Sequence, residues 1–177
     1  MQLIKATLIT ALFCTVAIAP ADAHGPTPKK IEETVSISAP VDKVWKTAGQ
    51  FGEIAAWHPD VSKSSATKGN EPGSVRELTL EKGVIKESLD EYDEGAHSYS
   101  YRMDGENLEA LPVSSYSSTM TVQADGEGSK VSWIGRFYRG DTSNEPPENL
   151  NDESAIAAMT AIYKNGLAGL KKTVEGK

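Results

Sequence analysis

The chain has 177 residues, one cysteine and a formal net charge of −7, from 18 basic and 25 acidic side chains. This length suits one ordinary domain with a real core. The acidic balance argues against nucleic-acid binding, which needs a basic face, and one cysteine excludes an internal disulfide.

Residues 1–23 read as a signal peptide. Lys5 supplies a positive n-region, Ala6 to Ile18 is a short apolar run, Pro20 breaks it, and Ala21-Asp22-Ala23 is a small-x-small cleavage pattern. The apolar run is too short to span a bilayer, which takes about 20 residues. The mature protein is therefore expected to begin at His24, in the periplasm, with no stable membrane anchor. Cys14 lies inside the signal behind Phe13 rather than a small residue, which argues against a lipoprotein. Cleavage leaves no thiol for a metal site or a nucleophile. Lys5 and Asp22 cancel, so the mature chain keeps the charge of −7.

Residues 24–30 read as an extended leader containing proline and glycine, and residues 31–177 as a single domain. Ile31 to Ala39 alternates and reads as a strand. Pro40 suits the first turn of a helix, where its missing N–H costs nothing. Val41, Val44, Trp45 and Ala48 follow at helical spacing, and Phe51 to Ala56 reads as a second helical piece closed by Trp57-His58-Pro59. Strands are expected at Val61–Thr67, Ser74–Leu80, Val84–Asp93, Ser98–Met103, Tyr116–Ala124 and Lys130–Arg139. The tight turn Glu81-Lys82-Gly83 joins the second and third of these as a hairpin. After a polar loop from Gly140 to Asn149, Asn151 to Val174 reads as the clearest helix. Asn151 or Asn149 can cap it, and Ile156, Met159, Tyr163, Leu167, Leu170 and Val174 form its apolar stripe. About seven antiparallel strands curved around one long C-terminal helix satisfy every apolar face, an α+β arrangement. Gly166 and Gly169 sit mid-helix at a cost of about 1 kcal/mol each relative to alanine. They serve either close packing on the sheet or room for a ligand.

Ser38-Ala39-Pro40-Val41-Asp42-Lys43-Val44-Trp45, Trp57-His58-Pro59, Gly73-Ser74-Val75-Arg76 and Gly166-Leu167-x-x-Leu170-Lys171, in this order, resemble the START-like (SRPBCC) helix-grip superfamily of the polyketide cyclase/dehydrase and lipid-transport type. That resemblance implies a Bet v 1-like fold. A narrower set is similar to the MxaD-like family of periplasmic accessory proteins of methanol oxidation. It comprises His24-Gly25-Pro26-Thr27-Pro28, Gly69-Asn70-Glu71-Pro72-Gly73, Leu111-Pro112-Val113-x-x-Tyr116-Ser117-Ser118-Thr119, Phe137-Tyr138-Arg139-Gly140 and Leu150-Asn151-Asp152-Glu153. The narrower resemblance implies a non-catalytic helper of electron transfer between methanol dehydrogenase and its c-type cytochrome.

The residues themselves carry no G-x-G-x-x-G, H-E-x-x-H, G-x-S-x-G or C-x-x-C-H motif. No cofactor and no catalytic residue is therefore assigned. His24 offers an α-amine and an imidazole, a chelate that suits Cu(II); otherwise it is a terminal residue on a leader. Arg76 shares a strand face with Leu78 and Leu80 and needs an acidic partner or an anionic ligand, since an unpaired buried charge is costly. Glu87 on the paired strand is the simplest structural partner. Tyr99, Tyr101, Tyr116, Trp133 and Phe137 fall on the same concave side. Three tyrosine hydroxyls there all need partners, which points to a partly polar, ligand-sized cavity. With Trp57, His58 and Tyr163 these residues form the candidate ligand site. His97 is expected to be solvated at a turn. Two further functions stay open: a periplasmic carrier of a small hydrophobic or quinone-like ligand, and a cyclase or dehydratase using Arg76, His58 and a tyrosine.

Overall fold

The computed structural model describes residues 26–176; the segment expected to be a signal peptide, and His24, lie outside them. Strand β1 (Lys29–Ile37) is followed by helix α1 (Val41–Ala48), a 3-10 segment (Phe51–Ala56), and strands β2 (Lys63–Ala66), β3 (Val75–Leu80), β4 (Gly83–Asp93), β5 (Ser98–Met103), β6 (Val113–Asp125) and β7 (Gly128–Arg139). A short 3-10 turn (Glu148–Leu150) leads into helix α2 (Asp152–Glu175). The strands form one antiparallel sheet in the order β1-β7-β6-β5-β4-β3-β2. Strand-to-strand hairpins build most of it, and β1 returns to pair with β7. Helix α2 lies across β1 and β7. This is the helix-grip arrangement.

Alternation decides which side chains enter the core. Along β6, Tyr116, Ser118, Met120 and Val122 are buried; along β7, Val131, Trp133 and Phe137 are. Each large apolar side chain so buried contributes roughly 1.5–3 kcal/mol. The pairing register shifts between Leu89 and Glu91 and between Val113 and Ser115, and such bulges bend a sheet. The second shift interrupts the period of two. That is why β6 begins at Val113, three residues before the alternation becomes regular. Strand β1 likewise begins at Lys29, so Lys29 and Lys30 belong to it rather than to the leader.

Helix α2 starts at Asn151, whose side-chain oxygen accepts from Ser154 N–H at 2.9 Å. It ends at Gly176, whose positive φ of 72° is the left-handed cap that glycine adopts freely. Met159, Tyr163, Leu167, Leu170 and Val174 are buried as their spacing requires, but Ile156 is 39% exposed. Ala155, one turn before Met159 on the same face, takes the buried place instead. A small side chain there lets the start of the helix lie close to its neighbours.

Candidate functional site

Arg76 and Glu87 face each other across the β3–β4 hairpin, because the tight turn sets their register. Both are deeply buried, at 0% and 3% exposure. Arg76 Nε donates to Glu87 Oε2 at 2.5 Å, and its Nη1 donates to the Phe51 carbonyl at 2.9 Å. The guanidinium lies 4.2 Å from the Phe51 ring centroid and 4.6 Å from that of Tyr101, a cation–π sandwich. Burial works against the Arg76 charge, but Glu87, Tyr99 and Tyr101 outweigh it and hold the group protonated.

The tyrosines are satisfied inside the protein. Tyr116 donates to Glu87 Oε1 at 2.6 Å, and Tyr101 accepts from Trp133 Nε1 at 2.9 Å. Tyr163 and Ser118 share a hydrogen bond of 2.5 Å, and Tyr99 points its hydroxyl at Met120 Sδ, 3.5 Å away. Burial raises the pKa of Tyr99, Tyr101 and Tyr116 above the ordinary phenol value. Gly135 makes the Tyr163 arrangement possible, since a Cβ there would fall on the Tyr163 hydroxyl. The Tyr163 ring stacks on Trp133 with centroids 4.4 Å apart and planes 8° from parallel.

What remains between sheet and helix is a gap of about 20 Å³, room for one water. The ligand-sized cavity expected from three tyrosine hydroxyls is thus replaced by a packed polar network, because those hydroxyls pair with side chains the sequence does not place beside them. Of the anticipated site residues, His58, Arg76, Leu78, Tyr101, Tyr116, Trp133 and Tyr163 line the gap; Trp57, Tyr99 and Phe137 are buried outside it. Ile54, Val61, Leu80, Ile85, Glu87, Leu111, Met159 and Ile162 complete the lining. The sequence marks Glu87 as the partner of Arg76, and Leu80 and Met159 as apolar face positions; the others are ordinary apolar residues with no distinguishing signal.

His58 clamps the bend after the 3-10 segment to α2. Its Nδ1 accepts from Asp60 N–H at 3.2 Å, which leaves Nε2 to donate to the Ile162 carbonyl at 3.0 Å. The two mid-helix glycines exist for this contact. A Cβ on Gly166 would stand 2.6 Å from His58 Cδ2 and 2.8 Å from Trp133, and one on Gly169 would fall on the Trp57 carbonyl oxygen. They serve close packing, not ligand room.

Burial, ahead of the opposing effect of Asp60, lowers the His58 pKa below its ordinary 6.5. The unfolded chain therefore takes up a proton at a higher pH than the folded one. This part of the stability is complete above pH 6.5 and is lost as the pH falls from there toward the folded-state pKa. Urea unfolding at about pH 7.5 and about pH 5 should show a smaller acid loss in His58→Gln than in wild type; equal losses would rule out His58 as the source.

His97 is half-buried rather than solvated. It adopts a positive φ of 48°, packs edge-on against Trp45 and lies 3.6 Å from Asp42 Oδ1. Trp45 Nε1 and the Tyr92 hydroxyl both donate to Glu94 beside it. In the polar loop after β7, Arg139 donates to the carbonyls of Asp141 and Ser143, each at 2.7 Å. Among the described residues no group of histidine, cysteine, aspartate or glutamate side chains is placed to hold a metal. No helix there is long and apolar enough to cross a membrane.

A family model described as "Polyketide cyclase / dehydrase and lipid transport" matches residues 28–175. A solved structure of a protein called XoxI, from Bacillus cereus, is 28% identical over 82% of this chain and 94% of its own, with a TM-score of 0.68. An uncharacterized protein from Bacillus thuringiensis is 27% identical over 82% of this chain and 98% of its own, at 0.67. A protein from Nitrosospira multiformis, 20% identical over 81% of this chain and 94% of its own, shares the fold at 0.65. No curated protein matches the chain.

Proposed function

This chain belongs to the polyketide cyclase/dehydrase and lipid-transport family, and we propose that it acts there as an exported, non-catalytic accessory protein of methanol oxidation. In this reading it works in the periplasm and promotes electron transfer between methanol dehydrogenase and its c-type cytochrome by contact. The observation that supports contact over catalysis is the committed state of the interior. His58 has both ring nitrogens bonded, Glu87 is held by Arg76 and Tyr116, and Tyr163 is held by Ser118. A general acid or base must instead be free to meet a substrate proton, so a cyclase or dehydratase built on Arg76, His58 and a tyrosine is disfavoured. The link to methanol oxidation rests on the segments similar to the MxaD-like family. Purified protein added to the dehydrogenase and its cytochrome should change the rate or apparent affinity of cytochrome reduction. Unchanged kinetics across a wide concentration range would discard the proposal.

One observation favours a second reading, a carrier of a small hydrophobic ligand. Arg76 Nη2 is buried with no hydrogen-bond partner among the described residues, and Arg76 lines the interior gap. Native mass spectrometry of protein isolated from its host should then show a bound small molecule.

A further inference from the structure

Six oxidisable side chains form an unbroken line through the molecule. From the stacked pair of Tyr163 and Trp133 the line passes to Tyr101, whose hydroxyl accepts from Trp133 Nε1, and then to Tyr99, Trp45 and Tyr92. From Tyr101 onward, successive ring centroids are 5.9, 6.0 and 5.5 Å apart. At such contact the π-orbitals of neighbouring rings overlap. An electron lost from one ring is therefore replaced from the next, and the hole settles where it is best stabilised.

Protons and charge decide that place. A phenol or indole that has lost an electron is a strong acid, so the hole stays where the proton meets a base. In the interior Tyr163 is bonded to Ser118 and Tyr99 points at Met120 Sδ, neither of them a base. The Arg76 guanidinium lies 4.6 Å from the Tyr101 ring centroid and acts on Tyr99 as well, and its charge repels a hole there. Tyr116 does donate to a carboxylate, but Arg76 already neutralises that Glu87. A proton taken up by Glu87 would leave Arg76 unpaired in the interior, which is costly.

The outer end of the line differs. The Tyr92 hydroxyl donates to Glu94 Oε2 at 2.8 Å, and Trp45 Nε1 donates to the same oxygen at 3.0 Å. The last two members of the line thus share one proton acceptor. Asn70 Nδ2 donates to the Tyr92 oxygen at 3.1 Å, which fixes the phenol while leaving its proton directed at Glu94. Glu94 is exposed, so a proton it receives passes on to water.

We propose that Tyr92 is a redox-active tyrosine, the terminus to which holes formed in this aromatic line travel. Its co-reactant is a high-potential one-electron oxidant, such as a metal complex or haem stronger than the tyrosine couple. The oxidant gains one electron, the Tyr92 O–H bond breaks, the proton goes to Glu94 Oε2 and a neutral phenoxyl radical remains. Trp45 relays between the interior and Tyr92. The hydrogen-bonded core around Trp133 and Tyr163 is thereby spared oxidation. This activity is independent of the accessory and carrier readings.

Ultraviolet photoionisation of the tryptophans in the purified protein tests it, with a cobalt(III) ammine present to take up the ejected electron. Transient absorption separates indole from phenoxyl radicals. In wild type the indole radical should give way to a phenoxyl radical. Tyr92→Phe should remove most of that phenoxyl signal, whereas Tyr138→Phe, at an exposed tyrosine outside the line, should leave it unchanged. Glu94→Gln keeps an acceptor for both donors but no base. It should slow phenoxyl formation at least about tenfold, since a positioned proton acceptor contributes about 10²–10⁴-fold; a merely structural Glu94 would not move this rate. Trp45→Phe should leave the indole radical long-lived. Circular dichroism should show each variant folded. A phenoxyl yield unchanged by Tyr92→Phe would overturn Tyr92 as the terminus. A rate unchanged by Glu94→Gln would overturn Glu94 as the proton acceptor, and conversion unchanged by Trp45→Phe would overturn the relay.

Discussion

Glu87→Ala should destabilise the protein by about 3–5 kcal/mol, the usual cost of stranding one partner of a buried ion pair. Arg76 is fully buried between two aromatic rings and keeps its proton, so nothing else near it supplies the lost negative charge. The change also takes away the acceptor of the Tyr116 hydroxyl. Replacing both members of the pair, Arg76→Met with Glu87→Met, should cost far less than either single change, because no charge is then left in the interior. Urea unfolding of the singles and the double closes the cycle. If Glu87→Ala lost under about 1 kcal/mol with an unchanged urea dependence, the pair would not be holding the hairpin to the core.

Gly169→Ala should be the most damaging exchange of glycine for alanine in α2. On an exposed helix face alanine would stabilise by about 1 kcal/mol. Here its methyl would fall on the Trp57 carbonyl oxygen and 2.8 Å from Pro59 Cδ. A backbone carbonyl cannot swing away as a side chain can, so the helix or the Trp57-His58-Pro59 bend must shift, and His58 then loses its reach to Ile162. Overpacking of this kind costs about 1–3 kcal/mol, and at this chain length each kilocalorie lowers Tm by about 2–4 °C. Thermal unfolding should therefore show a Tm several degrees below wild type, with altered fluorescence from Trp57 and Trp133. A Tm equal to or above that of wild type would mean that the helix does not lie against this bend.

Much of the fold is legible in the chain because it depends on local pattern. The 3-10 segment and β5 have the boundaries their sequences suggest. The Arg76–Glu87 pair was legible too, since a tight turn between two alternating strands leaves few registers to choose from. Ile156 was not legible. It lies three residues before Met159 and Ala155 lies four, and only the angle at which the helix meets its neighbours selects between them. The tyrosine hydroxyls were hidden for a related reason. Tyr116 is satisfied by Glu87, Tyr101 by Trp133 and Tyr163 by Ser118, pairs 29, 32 and 45 residues apart. Counting hydroxyls on one strand face cannot tell a polar cavity from a closed network.

By itself, the sequence determined the order of helices and strands, the faces they bury and the family, and it offered Glu87 as the simplest partner for Arg76. Each follows from periodicity, turn chemistry or a motif within a short stretch. Tertiary structure alone decided that the interior closes to a gap the size of a water, that His58 is a clamp with both nitrogens engaged, and that Gly166 and Gly169 admit that clamp. Free volume and hydrogen-bond completion depend on side chains arriving together from several strands and a distant helix, and no local pattern contains the sum of their shapes.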